Sequence, residues 1–164
     1  MTSKKRVVLI TGAESGIGKS TSKIFLDNEY KVICTYLKNN NNKNTKDIEY
    51  HRIDITKNKD WENLALYIKK KFKKIDVLVN SAGVRLSGNL ETTSMSDWSY
   101  HLNNNVTGTF LACKYILPFL KKAKNSSIIN VASINSIRGA KNMLAYATSK
   151  SCLLYTSDAA DEEA

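Results

Sequence analysis

The sequence predicts an α/β fold in which helices cover both faces of a doubly wound parallel sheet. Short β-branched runs alternate along the chain with longer amphipathic segments, and this alternation is typical of βαβ units. Two of the runs, VVLIT and IDVLVN, are almost continuously apolar, as strands buried on both faces should be. A length of 164 residues suits a single domain that is large enough to bury a sizeable core.

Five strands and three helices follow from this alternation. The predicted strands are Arg6–Thr11, Lys31–Tyr36, Ile48–Asp54, Ile75–Asn80 and Ser127–Ala132. The predicted helices are Gly16–Asn28, Lys57–Phe72 and Asp97–Lys124. Apolar residues recur at close to 3.6-residue spacing from Trp61 to Phe72, which gives the second helix one core-facing side. Pro118 is expected to kink or shorten the third helix.

The net charge of +10 suggests a nucleic-acid partner, but the composition argues against one. The positive charge comes from 21 Lys against 4 Arg, whereas surfaces that read bases or clamp phosphates favour Arg. The chain also has 17 Asn, and Lys and Asn share A-rich codons. A genome of low GC content therefore accounts for both excesses, and we expect no nucleic-acid partner.

The apolar runs and the cysteines exclude further classes of protein. The run Val7–Ile10 is too short for a signal-peptide core or a membrane span, so we expect a cytoplasmic protein with no membrane partner. Cys34, Cys113 and Cys152 lie far apart in the sequence, without the spacing of metal ligands or of a disulfide framework. No metal site is predicted.

A glycine-rich loop, residues 11–18 (TGAESGIG), follows the first strand and opens the first helix. Glycines at this place allow a sharp turn and a close approach of the backbone to a pyrophosphate, whose charge is stabilised at the helix N-terminus. A nucleoside-triphosphate P-loop is the competing interpretation, because Gly18 is followed by Lys and Ser. That motif needs four residues between its two glycines, and Gly12 and Gly18 enclose five.

Two Tyr-x-x-x-Lys pairs occur, and each places the two side chains on one helix face. With 21 lysines such a pair is expected by chance, and Tyr67 with Lys71 lies in the lysine-rich end of an amphipathic helix. Tyr146 with Lys150 instead follows the fifth predicted strand, and Ser133 precedes Tyr146 by thirteen residues. Asn105 lies in the helix after the fourth strand.

The loop and the pair, in this order, resemble the short-chain dehydrogenase/reductase family, and in particular its 3-oxoacyl-carrier-protein reductases, over residues 6–151. The resemblance implies a Rossmann-type fold with a bound nicotinamide cofactor. It implies that Asp54 contacts the adenine ring and that Asn80-Ser81-Ala82-Gly83 corresponds to the family's Asn-Asn-Ala-Gly segment. The cofactor-binding residues that it implies are Gly12, Ser15, Gly16, Ile17, Gly18, Tyr36, Lys38, Asp54, Ile55, Asn80, Ala82, Gly83, Tyr146 and Lys150.

The same resemblance implies a catalytic tetrad of Asn105, Ser133, Tyr146 and Lys150. Tyr146 would exchange the proton with the substrate oxygen, and the cation of Lys150 would favour the tyrosinate and bond the nicotinamide ribose. Ser133 would position the substrate oxygen, and Asn105 would support a water-mediated proton path. The expected reaction is hydride transfer between the cofactor and a ketone or secondary alcohol. A catalytically silent, cofactor-binding regulator of the same fold is the alternative.

The preferred cofactor is predicted from the end of the second strand. An acidic residue there would select NAD by bonding the ribose 2′-hydroxyl, but Tyr36 holds that place. Lys38 follows, with a charge suited to a 2′-phosphate, so the sequence predicts NADP. Against this, relatives that prefer NADP often carry a basic residue where Ser15 stands, and Glu14 is also unfavourable.

The end of the chain does not resemble the rest. Residues Cys152–Glu162 match one reading frame of a transposase sequencing adapter, so native sequence is expected to end near Ser151 and residues 152–164 to be a non-native tail. Residues 1–151 would then be the front part of one catalytic domain whose last strands and helices are missing. We expect this chain to be poorly stable and inactive, and its full-length parent to be an active homo-oligomer.

Overall fold

The computed structural model of the protein describes residues 5–38 and 43–158, and its centre is one parallel sheet. The strands are β1 (Val7–Thr11), β2 (Lys31–Tyr36), β3 (Ile48–Arg52), β4 (Val77–Asn80) and β5 (Ser127–Asn130). Their order in the sheet is β3-β2-β1-β4-β5, and every neighbouring pair is parallel. The chain therefore starts in the middle of the sheet and winds outward in both directions, which confirms the predicted doubly wound α/β fold.

The described residues also form five α-helices and two short helical segments, and the last helix and one of the short segments follow the last strand. The helices are α1 (Gly16–Asp27), α2 (Asn58–Lys71), α3 (Met95–His101), α4 (Gly108–Leu120) and α5 (Leu144–Asp158). A π-helical segment, Leu102–Thr107, joins α3 to α4, and a 3₁₀ turn, Ile134–Ser136, precedes α5. No helix in the described ranges is long and apolar enough to cross a bilayer.

The third predicted helix differs from the structure at both ends and in the middle. It begins at Met95 instead of Asp97, because the Ser94 hydroxyl accepts a hydrogen bond from the backbone N–H of Asp97 and so caps the helix. A π-helical segment interrupts it, and it ends at Leu120, two residues after Pro118 and four residues before the predicted end. The early end agrees with the shortening expected from Pro118, whereas the π-helical break was not predicted.

The core consists of two layers, one on each face of the sheet. Side chains of a strand alternate between faces, so Leu9 points to one layer and Val8 to the other. The Leu9 layer contains buried residues of α2 and α4, among them Trp61 and Ile116. The Val8 layer is covered by α1 through Phe25. These two layers hold the strand ends, and the loops that follow them, in fixed positions.

Strand β5 lies at the edge of the sheet and pairs with β4 alone within the described residues. Ile128 and Ile129 are 43% and 45% exposed, unlike the fully buried residues of β1 and β4. An exposed apolar edge strand is an unusual feature for a stable surface.

Candidate functional site

A cavity of about 800 Å³ opens at the carboxyl ends of the strands. Its walls come from the glycine-rich loop, the segments that follow β2, β3 and β4, the π-helical segment and α5. The lining residues are Gly12, Glu14, Ser15, Gly16, Ile17, Thr35, Tyr36, Leu37, Ile53, Ile55, Ser81, Ala82, Gly83, Val84, Arg85, Asn104 and Tyr146. Ligands of open α/β sheets bind at this edge, where the strand order reverses on either side of β1.

The glycine-rich loop packs too closely for side chains at two positions. Gly12 has φ +65°, and a Cβ there would lie 2.7 Å from the Ala82 Cα atom. A Cβ on Gly18 would lie 2.3 Å from the Gly12 carbonyl oxygen. The first helix thus begins directly on the loop, and the N-cap residue, Ser15, makes no side-chain cap. The N–H groups of the first turn are left available for an anion in the cavity.

Thr11, which the sequence analysis did not single out, fixes the loop after β4. Its Oγ1 accepts hydrogen bonds from the backbone N–H groups of Ser81 and Ala82, both at 3.0 Å. These bonds hold Ala82 against Gly12. In the sequence, the only sign of this role is that a threonine directly precedes the first glycine of the loop.

Replacing Thr11 by Val is expected to destabilise the protein by about 2 kcal/mol, because two N–H groups lose their acceptor while the side-chain volume stays the same. Urea unfolding followed by circular dichroism measures the change. Thr21→Val is the matched control, since its partly buried hydroxyl makes no hydrogen bond within the described residues. Equal stability of the two variants would contradict the role of Thr11.

Asn80 lies beneath the cavity rather than on its wall. It is buried, and its side-chain amide donates to Asn130 Oδ1 at 2.9 Å and to the Cys113 sulfur at 3.5 Å. It therefore joins β4 to β5 and to α4. Ala82 and Gly83, from the same predicted segment, do line the cavity.

Asp54 stabilises the turn that leads into α2. Its Oδ1 accepts from the backbone N–H and the hydroxyl of Thr56, at 2.9 and 2.7 Å. Strand β3 ends at Arg52, two residues earlier than predicted, because the chain turns here. Asp54 is not part of the cavity wall, but its neighbours Ile53 and Ile55 are. The predicted contact between Asp54 and an adenine ring stays a prediction.

Asn105 lies in the π-helical segment and is fully buried. Its Oδ1 accepts from the Val84 N–H at 2.8 Å, and its Nδ2 donates to the Val84 carbonyl at 3.0 Å and to Ser149 Oγ at 2.8 Å. A Cβ built on Gly83 would lie 3.0 Å from Asn105 Oδ1 and 3.4 Å from Lys150 Nζ. Asn105 and Lys150 therefore meet beside Gly83.

Lys150 is buried to 5% exposure on α5 and donates to the Val131 carbonyl oxygen at 2.7 Å. Burial lowers the pKa of its ammonium group below the usual value. No carboxylate pairs with this ammonium group within the described residues, and the hydrogen bond to the Val131 carbonyl oxygen fixes its position. The charge is held close to the end of β5 and one helical turn from Tyr146.

Tyr146 is the member of the predicted tetrad that reaches the cavity wall. Its ring lies edge-on to that of His101, with 6.5 Å between centroids. His101 is buried and accepts from the Leu86 N–H at 2.9 Å, while its other nitrogen lies 2.7 Å from the Asp97 carbonyl. This histidine, which the sequence analysis missed, supports both the tyrosine and the loop after β4.

Ser133 lies two residues after Val131, at the start of the 3₁₀ turn. Its Oγ accepts from the Asn135 N–H at 3.2 Å, and it does not line the cavity. The turn contacts α5, where Ser151 Oγ donates to the Ser136 carbonyl at 2.9 Å. The structure thus places all four tetrad residues on adjoining elements, and Tyr146 alone among them lines the cavity.

The second Tyr-x-x-x-Lys pair belongs to a separate polar cluster on α2. The Tyr67 hydroxyl and the Lys71 ammonium group both bond the carboxylate of Glu49 on β3. Burial of the Glu49 carboxylate acts to raise its pKa, but these two hydrogen bonds outweigh burial and keep the pKa of Glu49 below its usual range. Neither Tyr67 nor Lys71 lines the cavity.

Of the two residues predicted to select the cofactor, one lines the cavity and the other does not. Tyr36 lines the cavity, whereas Lys38 is exposed and outside the lining. Gly18 and Lys150 do not line the cavity, but Gly18 packs against Gly12 and Lys150 lies beside Gly83, and both of these glycines do. Glu14, Arg85 and Asn104 line the cavity although they were not predicted as binding residues.

Comparison with known proteins gives one family. A family model described as "short chain dehydrogenase" matches residues 6–164. An uncharacterized oxidoreductase of Thermotoga maritima is 35% identical over 155 residues, and the alignment covers 91% of this chain. The 3-oxoacyl-[acyl-carrier-protein] reductase of the same organism is 32% identical, with 88% of this chain covered. The chain spans 62% of the length of each of these relatives.

Solved structures with the same fold include enzymes with either cofactor. The ligand-free aldohexose dehydrogenase of Thermoplasma acidophilum has a TM-score of 0.88 at 31% identity, covering 98% of this chain and 62% of its own. ElxO with NADP bound has a TM-score of 0.83 at 30% identity, covering 93% and 65%. A Leptospira borgpetersenii short chain dehydrogenase with bound NAD⁺ has a TM-score of 0.86 at 25% identity, covering 93% and 63%.

Proposed function

Because the chain belongs to the short-chain dehydrogenase family, we propose that the full-length protein transfers a hydride between a nicotinamide cofactor and a ketone or secondary alcohol. The observation that carries this proposal is the position of Tyr146 on the cavity wall, with Lys150 one helical turn away on α5. A phenol and an ammonium group in this arrangement can exchange a proton with a bound alcohol or carbonyl.

The cavity also fits the cofactor that the family implies. The glycine-rich loop leaves no room for a Cβ at Gly12 or Gly18, and the uncapped N-terminus of α1 offers N–H groups to a pyrophosphate. Gly12, Gly16, Ile17, Ala82 and Gly83 would hold the dinucleotide. When bound, the nicotinamide supplies or accepts the hydride.

The protein's own residues would handle the proton and the substrate oxygen. Tyr146 donates the proton in carbonyl reduction and accepts it in alcohol oxidation. Lys150 holds its ammonium group one helical turn from Tyr146, and Asn105 maintains the position of the loop that faces Lys150. Ser133 would orient the substrate oxygen by donating its hydroxyl hydrogen, because the bond from the Asn135 N–H uses only an acceptor site of Oγ.

The proposal is tested by measuring cofactor binding and turnover separately. Fluorescence titration of the full-length protein with NADH and NADPH is expected to give a dissociation constant for at least one of them. Oxidation of that cofactor is then followed with a panel of ketones that includes 3-oxoacyl thioesters and sugar-derived ketones. Absence of binding to both cofactors would refute the proposal.

A catalytically silent, cofactor-binding protein is the second candidate. It is favoured by one observation, the hydrogen bond that directs Ser133 Oγ to Asn135 outside the cavity lining. A protein of this kind would bind the dinucleotide with ordinary affinity and show no turnover with any carbonyl compound in the panel.

We also propose that residues 152–164 are an adapter-derived tail and that the 164-residue chain turns over poorly. Residues 159–164 of this tail lie outside the described residues. The exposed Ile128 and Ile129 of β5 support low stability, because an uncovered apolar edge favours association over a single folded state. The native gene sequence beyond Ser151 would test the first part, and a turnover measurement on this chain would test the second.

The full-length protein is proposed to form a homo-oligomer. Phe110 and Leu117 lie seven residues apart on α4, so they share one face, and they are 60% and 42% exposed. Exposed apolar side chains on one helix face are typical of a contact between subunits. Light scattering coupled to size-exclusion chromatography gives the mass of the assembly.

A further inference from the structure

Glu14 carries an unsatisfied carboxylate oxygen in the wall of the cavity. The residue belongs to the glycine-rich loop and lines the cavity. Its Oε1 accepts a long hydrogen bond, 3.4 Å, from the Leu37 N–H. Its Oε2 is buried and has no hydrogen-bond partner in the described part of the chain. A buried carboxylate oxygen without a donor is costly, so the carboxyl group would gain a partner by turning toward a ligand hydroxyl in the cavity that Glu14 lines.

The position of the Glu14 carboxylate indicates which ligand hydroxyl it would bond. In dinucleotide-binding folds an acidic residue at the end of the second strand bonds the ribose 2′-hydroxyl of NAD. Strand β2 ends at Tyr36, which has no carboxylate, and Leu37 follows it. Because Glu14 reaches the Leu37 backbone from the glycine-rich loop, it brings a carboxylate to the strand end where the sequence places none.

We propose that Glu14 is the specificity-determining residue for the cofactor: its carboxylate accepts a hydrogen bond from the adenosine ribose and repels a 2′-phosphate, so the protein prefers NAD. This inference rests on the proposed function, in which the cavity binds a nicotinamide dinucleotide. It opposes the NADP that Tyr36 and Lys38 predict from the sequence.

Three basic residues near the end of β2 or in the cavity lining could oppose this carboxylate. Lys38 is exposed, and its charge is therefore screened by solvent and salt. Arg52 is also exposed, and its Nε–H is engaged with the Leu37 carbonyl at 3.1 Å. Arg85 lines the cavity from the loop after β4 and not from the end of β2. Glu14 makes no ion pair within the described residues, so no direct partner neutralises its negative charge toward a ligand.

The test compares binding of NADH and NADPH to the wild-type protein and to Glu14→Gln, by fluorescence titration. Wild type is expected to bind NADH at least about tenfold more tightly than NADPH, a ratio in the range of one charge-assisted hydrogen bond. Glu14→Gln removes the charge and keeps the shape, so NADPH should bind about tenfold more tightly and NADH more weakly. Glu91→Gln makes the same charge change at an exposed site outside the cavity lining and should leave both constants unchanged.

Each outcome decides a different claim. A wild-type preference for NADPH, or a ratio that Glu14→Gln leaves within about twofold of wild type, overturns the role of Glu14 and leaves the proposed function standing. Binding of neither cofactor by wild type overturns the proposed function, and the inference with it. Thermal unfolding verifies that Glu14→Gln is folded, and Glu14→Ser gives the same measurement if it is not.

Discussion

Replacing Tyr146 by Phe is expected to lower turnover of the full-length protein by about 10³-fold, while the dissociation constant of the cofactor changes little. The substitution removes the hydroxyl that exchanges the proton, and general acid–base groups contribute on the order of 10²–10⁴ in rate. The aromatic ring that packs near His101 is retained, so the cavity wall keeps its shape. Steady-state rates and fluorescence titration on the same preparation give the two quantities.

Tyr67→Phe is the matched control, because Tyr67 also precedes a lysine by four residues on a helix. Loss of its hydrogen bond to the Glu49 carboxylate should destabilise the protein by about 2 kcal/mol. Turnover should stay at the wild-type level, since Tyr67 lies outside the cavity lining. If Tyr146→Phe retained more than a tenth of the wild-type rate, Tyr146 would not be the proton donor.

Replacing Gly18 by Ala is expected to abolish measurable cofactor binding and to destabilise the protein by about 3 kcal/mol. The new methyl group would lie 2.3 Å from the Gly12 carbonyl oxygen and 2.9 Å from its carbon, and neither backbone atom can move without displacing the loop. The start of α1 would shift away from Gly12, and the N–H groups that face the cavity would shift with it. Fluorescence titration and thermal unfolding measure the two effects.

Gly139→Ala makes the same chemical change where a Cβ would meet no atom within 4 Å. It should leave both cofactor affinity and stability within about 0.5 kcal/mol of wild type, as is usual for surface substitutions. Wild-type binding by Gly18→Ala would show that the loop tolerates a side chain there, and the close approach to Gly12 would then have no function.

The sheet could be predicted from the sequence because its signal is local and strong. All five strands were located, since strands buried on both faces are apolar throughout and are separated by helical segments. The break in the third predicted helix could not be predicted, because residues 95–120 are compatible with one continuous helix. Within the π-helical segment, Asn105 bonds Val84 and Ser149, both distant in sequence, and a local pattern cannot reveal such contacts.

The site could be predicted in part, for a related reason. The glycine-rich loop and Tyr146 have sequence patterns of their own, and both line the cavity. Thr11 and His101 act through hydrogen bonds to backbone groups of the loop after β4, and no pattern in the sequence specifies such partners. Asp54 has the residue type of a ligand contact, yet its carboxylate is engaged with Thr56 in the turn before α2.

The amide of Asn105 has a consequence for how the cavity responds to ligands. It bonds both backbone groups of Val84 and the hydroxyl of Ser149, so three elements of the wall are locked to one another by a single side chain. The cavity wall is therefore pre-organised, and it loses little conformational entropy when a ligand binds. Amide hydrogen exchange at Val84 should be slow in the free protein and should change little when a dinucleotide occupies the cavity.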